Sequence, residues 1–262
     1  MGKDSAIPWT HHTFNPWWGC SRVSPGCLHC YAEAWARRCG LEVWGANGER
    51  RMASEAYWRK PVAWNRAARA AGERHRVFCG SMCDVCERHS QLEVLQEQDA
   101  TRRCLQELVL ATPHLDWLLL TKRPELFPRC FPASFLAQPN VWPMTTVESD
   151  RQLRRVEALR RVDSQILGLS LEPLLGPVDL DDHLQQHEGW PHNRGVQWVI
   201  VGCESRWKAP GRPMELAWAR SLRDQCRAAG VAFYMKQLVI AGRVTSDLTL
   251  FPEDLRVREY PA

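Results

Sequence analysis

The chain has 262 residues, 45 % of them hydrophobic, and a formal net charge of +4. At ~100–200 residues per domain, that length suits one large α/β domain or two small ones, with a core that needs no staples. The mildly basic balance permits an anionic partner without demanding one. No run of ~18 apolar residues suggests a membrane span, and Met1–Pro8 lacks the regions of a secretory signal. A cytoplasmic protein with no membrane partner is the expectation.

Short apolar runs alternate with helical patterning along the chain. The predicted strands are Trp9–Asn15, Val77–Met82, Trp117–Thr121, Val141–Val147, Ile166–Leu171, Trp198–Gly202 and Val231–Met235. Several are almost wholly apolar, as strands covered on both faces tend to be. The predicted helices are Tyr31–Cys39, Gln91–Leu110, Arg151–Arg161 and Glu215–Ala229. The second carries Leu92, Leu95, Leu105, Leu108 and Val109 near one face, and Gly230 stands where the last helix needs a C-terminal cap. The stretch Arg50–Arg76 is Arg-rich with Trp58 and Trp64, a composition shared by nucleic-acid surfaces and amphipathic helices, and the helix is preferred. The fold class is therefore α/β. Strand and helix alternation points to right-handed crossovers in a full or partial (β/α) barrel of six or seven parallel strands. Residues 1–262 read as a single domain, with 40–76 a helical insertion and 238–262 a C-terminal extension.

Such barrels place their chemistry at the carboxyl ends of the strands. Polar residues follow nearly every apolar run here. Asp84 follows the second, Thr121, Lys122 and Arg123 end the third, Thr146 and Glu148 the fourth, and Glu172 the fifth. Glu204 and Ser205 end the sixth, and Lys236 and Gln237 the seventh. Lys122 suits a clamp for a carboxylate or phosphate, against a solvated loop charge. Thr146 and Glu148 suit hydrogen bonds to a ligand, against a helix-capping role. Glu172 is a carboxylate facing the centre, which requires a partner if buried.

Eleven cysteines with no secretion signal argue against a disulfide framework and for metal or redox work. Cys20, Cys27 and Cys30 form a C-x6-C-x2-C pattern amid Gly and Pro. Thiolates are the usual ligands of iron–sulfur clusters, and three of them leave one iron of a cubane open. The alternative is a structural zinc knuckle with His11, His12 or His29 as fourth ligand. The paired His11 and His12 otherwise read as structural or surface residues. Cys79, Cys83 and Cys86 form a second triad, C-x3-C-x2-C, which is either an accessory cluster or chance. Cys39, Cys104, Cys130, Cys203 and Cys226 read as small buried hydrophobes.

The Cys motif, with an aromatic residue beside its last cysteine and a position after the first strand of a β/α barrel, resembles the radical S-adenosylmethionine superfamily. More narrowly, FNPWWGCSRVSPGCLHCYAE, LLLTKRPE, LEPLLGPVDL, VIVGCESRWKAPGRPM, RSLRDQC and MKQ resemble a phage-associated, radical-SAM-like family of unknown function. The resemblance implies a [4Fe–4S] cluster on Cys20, Cys27 and Cys30. It also implies S-adenosyl-L-methionine on the open iron, reductive cleavage to a 5′-deoxyadenosyl radical, and an electron donor such as flavodoxin or ferredoxin. Tyr31 would lie by the adenine. The first gap is six residues rather than the common three, and the usual Gly-Gly-Glu motif is absent from the second strand. Ser81 and Asp84 there are more similar to the Ser/Thr-x-x-Asp version of spore photoproduct lyase-like members, which implies cofactor contact for both. Lys122, Thr146 and Glu148 are the further cofactor candidates, and Glu172 and Lys122 the catalytic ones. Nucleic acid is the first substrate expectation. A non-enzymatic metal-stabilised binding module and lyase-like DNA repair are the alternatives.

Overall fold

The apolar runs become one curled sheet in a computed structural model, which describes residues 5–184, 195–206 and 209–262. Residues 1–4 of the N-terminal segment, and Trp207 and Lys208 of the VIVGCESRWKAPGRPM motif, lie outside the described residues. The strands are β1 (His12–Phe14), β2 (Trp17–Trp18), β3 (Arg51–Met52), β4 (His75–Cys79), β5 (Leu115–Thr121), β6 (Val141–Thr146), β7 (Gly168–Leu171), β8 (Trp198–Gly202), β9 (Ala232–Ile240) and β10 (Arg243–Thr245). Eight of them pair in the order β1-β4-β5-β6-β7-β8-β9-β10. All neighbours from β1 to β9 are parallel, and β10 is antiparallel to β9. The sheet is open between β1 and β10, so the barrel is partial.

Alternation of side chains across the strands builds two apolar layers. Val77, Trp117, Leu119, Val141, Val199, Val201, Phe233 and Met235 join the larger core, together with Leu105, Val109, Leu222 and Cys226 from helices Leu92–Leu110 and Leu216–Ala229. Residues of the other parity, Phe78, Leu118, Trp142, Met144, Trp198, Ile200 and Tyr234, form a second cluster with Trp9. Two rows of aliphatic and aromatic side chains on each strand explain why so few strand residues are polar. Among the described residues no helix is long and apolar enough to cross a membrane.

The predicted strands are found, with altered ends. β1 is shorter than Trp9–Asn15 because the Thr10 hydroxyl stands in for ladder bonds. Its one proton lies between the carbonyls of His12 and Arg76 (2.9 and 2.8 Å), and its oxygen accepts from the Phe78 amide (3.1 Å). β9 runs past Met235 because β10 turns back on it. Residues 238–262 fold against the sheet, and the Trp198 indole donates to the Glu259 carbonyl at 2.9 Å. Residues 40–76 hold helices Glu55–Trp58 and Lys60–Ala71, but also β3 paired with β2. Gly230 caps Leu216–Ala229 in the left-handed conformation (φ 68°), as its position suggested.

Two expectations need correction. Helix Leu92–Leu110 buries Gln98, Arg102, Leu105 and Val109, whereas Leu92 is 67 % exposed. The face turns because Arg102 lies over the Trp17 ring (5.3 Å) and donates to the carbonyls of Val85 and Glu87. Cys39 and Cys104 are exposed, Cys39 at a helix end and Cys104 on the outer side of its helix, while Cys130, Cys203 and Cys226 are buried. His11 and His12 are structural. The His12 ring stacks on Trp64 (4.4 Å, 6°) and its Nε2 meets His75 Nδ1 at 3.1 Å.

Candidate active site

Continuing the inner parity of each strand past its apolar segment leads into a cavity of about 780 Å³ at the carboxyl ends. Leu118 is followed by Leu120 and Lys122, Met144 by Thr146, Gly168 by Ser170 and Glu172, and Tyr234 by Lys236, all of which line it. Cys20, Cys27, Cys30, Tyr31, Ser81 and Asp84 line it as well. Glu148, two residues beyond Thr146, is instead 1 % exposed beneath the cysteine loop.

Carboxylates from three places in the sheet hold that loop. Glu87 accepts from the Ser21 amide and hydroxyl, both at 2.8 Å. Glu148 accepts from the Ser24 hydroxyl at 2.5 Å and from Arg155 at 2.8 Å. Glu204 meets His29 Nδ1 at 3.1 Å and accepts from the Arg212 amide at 2.9 Å, and Arg212 also donates to the Pro25 carbonyl at 3.0 Å. A Cβ at position 26 would collide with the Glu148 carboxylate, so glycine lets the loop sit down on it. Burial acts to raise the pKa of Glu204, but the bonds from Arg212 and His29 outweigh it and hold the carboxyl at about 2.

The three thiols differ in setting. Burial raises Cys20, as do the carboxylates of Glu87 and Asp84, and Arg123 opposes them. Cys30 is the N-cap of helix Tyr31–Arg38; burial raises it, while the Glu33 and Ala32 amides and Lys122 favour its thiolate. Cys27 faces the Ser24 hydroxyl at 3.9 Å.

Asp84 is saturated by the protein. It accepts from Thr121 Oγ1 (2.6 Å), the Lys122 amide (3.0 Å), Arg123 Nη1 (2.8 Å) and the Cys86 amide (3.0 Å). Burial pushes its pKa up, yet Arg123 and these donors together hold it below the usual carboxylate range. The Ser81 hydroxyl is held by Asn15 (2.9 Å), and the Ser81 carbonyl accepts from the Tyr31 hydroxyl (2.9 Å). Lys122 Nζ reaches Thr146 Oγ1 at 3.3 Å. Glu172 and Lys236 form an ion pair on the cavity wall.

The second triad is not gathered at the cavity. Cys79 and Cys86 are wholly buried in the apolar core, Cys86 against Cys130, and only Cys83 of the three lines the cavity. Among the described residues no three His, Cys, Asp or Glu side chains form a ready ligand set for one metal ion. His29 turns Nδ1 to Glu204, and His11 and His12 sit with His75 at the amino end of β4. The first triad presents soft thiols to one cavity, with Lys122 and Arg123 nearby to offset their charge, a donor chemistry suited to an iron–sulfur cluster and to zinc alike.

The seven parallel strands, the open sheet and a cysteine loop at the carboxyl rim define a radical-SAM-like α/β partial barrel. The chain belongs to the family described as "Protein of unknown function (DUF5131)", whose model matches residues 4–246. No curated protein matches. Among solved structures the chain is similar to spore photoproduct lyase. A variant of that enzyme with bound AdoMet and dinucleoside spore photoproduct superposes with a TM-score of 0.50 at 13 % identity, over 94 % of this chain and 66 % of that one. The chain thus spans just under two thirds of that structure's length. Two further variants give TM-scores of 0.53 at 13 % and 12 % identity, over 87 % of this chain and 76 % and 75 % of theirs. Identity this low speaks to the fold alone, and neither family nor structures carry a phage association.

Proposed function

We propose that the protein is a radical S-adenosylmethionine enzyme in which Cys20, Cys27 and Cys30 hold a [4Fe–4S] cluster and the adjoining cavity takes S-adenosylmethionine. The observation that carries this reading is the convergence of three cysteines of one loop on the strand-end cavity that also presents Tyr31, Lys122 and Thr146. When bound, the cluster supplies the electron for reductive cleavage of S-adenosylmethionine. Lys122 offers a charge-assisted bond to the cofactor's carboxylate. Tyr31 is half-exposed, with its hydroxyl tied to Ser81, so its ring is free to pack on an adenine. Ser81 and Thr146 offer hydroxyls to the cofactor. Asp84 and Glu148 act one step back, Asp84 by fixing Lys122 and Arg123, Glu148 by fixing the cysteine loop. Glu172, paired with Lys236, and Lys122 are the candidates for contact with the reacting substrate.

Nucleic acid is the proposed substrate class. Arg22, Trp35, Arg38 and Arg206 line the cavity, with the Arg38 guanidinium 5.2 Å from the Trp35 ring centroid, a basic and aromatic rim suited to stacked bases and phosphates. A flavodoxin- or ferredoxin-like donor completes the reaction as electron source. Electron paramagnetic resonance of the anaerobically reconstituted, dithionite-reduced protein tests the reading. A reduced [4Fe–4S] signal that shifts on adding S-adenosylmethionine is expected. No cluster signal, with about one zinc per chain, would overturn it and leave a metal-stabilised binding module.

A further inference from the structure

The structure points to Arg123 as a positioning residue for Cys20, whose charge sets the reduction potential of the cluster that thiol would hold. This rests on the reading of the cysteine triad given above.

Arg123 follows Lys122 at the end of β5, and its side chain is 10 % exposed. Its Nη1 lies 3.8 Å from Cys20 Sγ and 2.8 Å from Asp84 Oδ2. Its Nη2 donates to the Ser21 carbonyl and hydroxyl, both at 2.9 Å, and stands 3.9 Å from Glu87 Oε1. The fork therefore grips the residue next to Cys20 with one nitrogen and the thiol with the other. Among the described residues, Cys20 is the one thiol of the triad with a guanidinium in hydrogen-bonding range.

The guanidinium is itself held in place. Glu87, 1 % exposed, is bound by Arg50 through Nε (2.7 Å) and Nη2 (2.8 Å), and it also accepts from Gln98 (3.2 Å). Asp84 accepts from Thr121 and two backbone amides as well as from Arg123. Two arginines thus face two carboxylates in a buried, balanced set. A thiolate at Cys20 adds a negative charge that Arg123 is placed to offset. Hydrogen bonds to the sulfurs and net local charge are the means by which a protein sets a cluster's potential, and a buried charge is poorly screened.

Arg123→Gln removes the cation, and Asp84→Asn removes a carboxylate that competes for it. Wild type and both variants would be reconstituted anaerobically, assayed for iron per chain, and titrated redox-potentiometrically with the resonance signal as readout. At equal iron content, R123Q is expected to disfavour the reduced cluster roughly tenfold, ~59 mV lower for a one-electron couple. D84N is expected to shift the potential upward. A merely structural role would not move the two in opposite directions. An R123Q potential equal to wild type overturns the inference while the proposed function stands. Should R123Q not fold, D84N decides: a rise supports the inference, and no rise overturns it. A wild-type protein that takes up no cluster overturns both.

Discussion

Arg50 is the side chain whose loss the fold should feel most among those around the site. It is fully buried, gives two bonds to Glu87, and donates to the carbonyls of Val43, Gly45, Gly48 and Glu49. Arg50→Met keeps much of the apolar stem and removes every one of these. Removing one partner of a buried pair costs about 3–5 kcal/mol, mostly because the other charge is stranded. Glu87 keeps Ser21 and Gln98, which places the expectation near the lower bound. Domains are stable by about 5–15 kcal/mol, so the loss is a large share. At roughly 2–4 °C per kcal/mol for chains of this size, a cost of about 3 kcal/mol should lower the melting temperature by roughly 6–12 °C. Near-ultraviolet circular dichroism of the cluster-free protein would follow it, with thirteen tryptophans as reporters. The double variant R50M/E87Q removes the stranded charge and should melt higher than the sum of its single changes requires. A drop of under about 2 °C for R50M, or strict additivity in the double variant, would refute the stranded-charge reasoning.

Three other expectations follow from the same geometry. Cys27→Ala should abolish stable cluster loading on reconstitution, seen as loss of iron and of the brown absorbance; full iron retention would remove Cys27 from the ligand set. Gly26→Ala should lift the loop off Glu148 and cost about 1–3 kcal/mol, read by urea unfolding; an unchanged midpoint would mean the loop yields freely. Burial first, then Arg76 and His75, lower the pKa of His11 from 6.5 to about 4, and its Nδ1 accepts from the Arg76 amide at 2.9 Å. The folded state therefore keeps His11 neutral, while the unfolded chain takes up a proton below about 6.5. Its contribution is present above pH 6.5 and lost as the pH falls from there toward 4. His11→Asn should flatten that part of a melting-temperature profile, and a profile with unchanged slope would exclude His11 as its source.

The sheet was legible because its strands are buried on both faces. Trp198–Gly202 needed no adjustment, and the other apolar runs changed only at their ends. β2 and β3 were not legible, since two residues each carry no period, and β10 is a triplet, Arg243–Thr245, with a single apolar residue, Val244, too short to show alternation. The helix face of Leu92–Leu110 was misjudged because a counted stripe of leucines gives no weight to Arg102, buried under Trp17 by its hydrogen bonds. Cysteine spacing and strand-end polarity marked Cys20, Cys27, Cys30, Lys122 and Glu172 as lining residues. The bracing residues Glu87, Arg50, Arg155 and Arg212 left no such signal. Each is a single charged residue whose partner lies at another point of the chain, and only folding pairs them.

The six residues between Cys20 and Cys27 contain both Ser21 and Ser24, which hang from Glu87 and Glu148 respectively. The two serines thus suspend the segment from two carboxylates, one following β4 and one following β6, and Arg212 holds Pro25 beyond them. A gap of three residues would leave room for the first attachment but not the second. Homologues that shorten this gap should therefore have lost the Ser24–Glu148 attachment along with the residues, and those that lengthen it should carry their extra residues between the two serines, because Pro25 is held by Arg212 and Gly26 rests on Glu148.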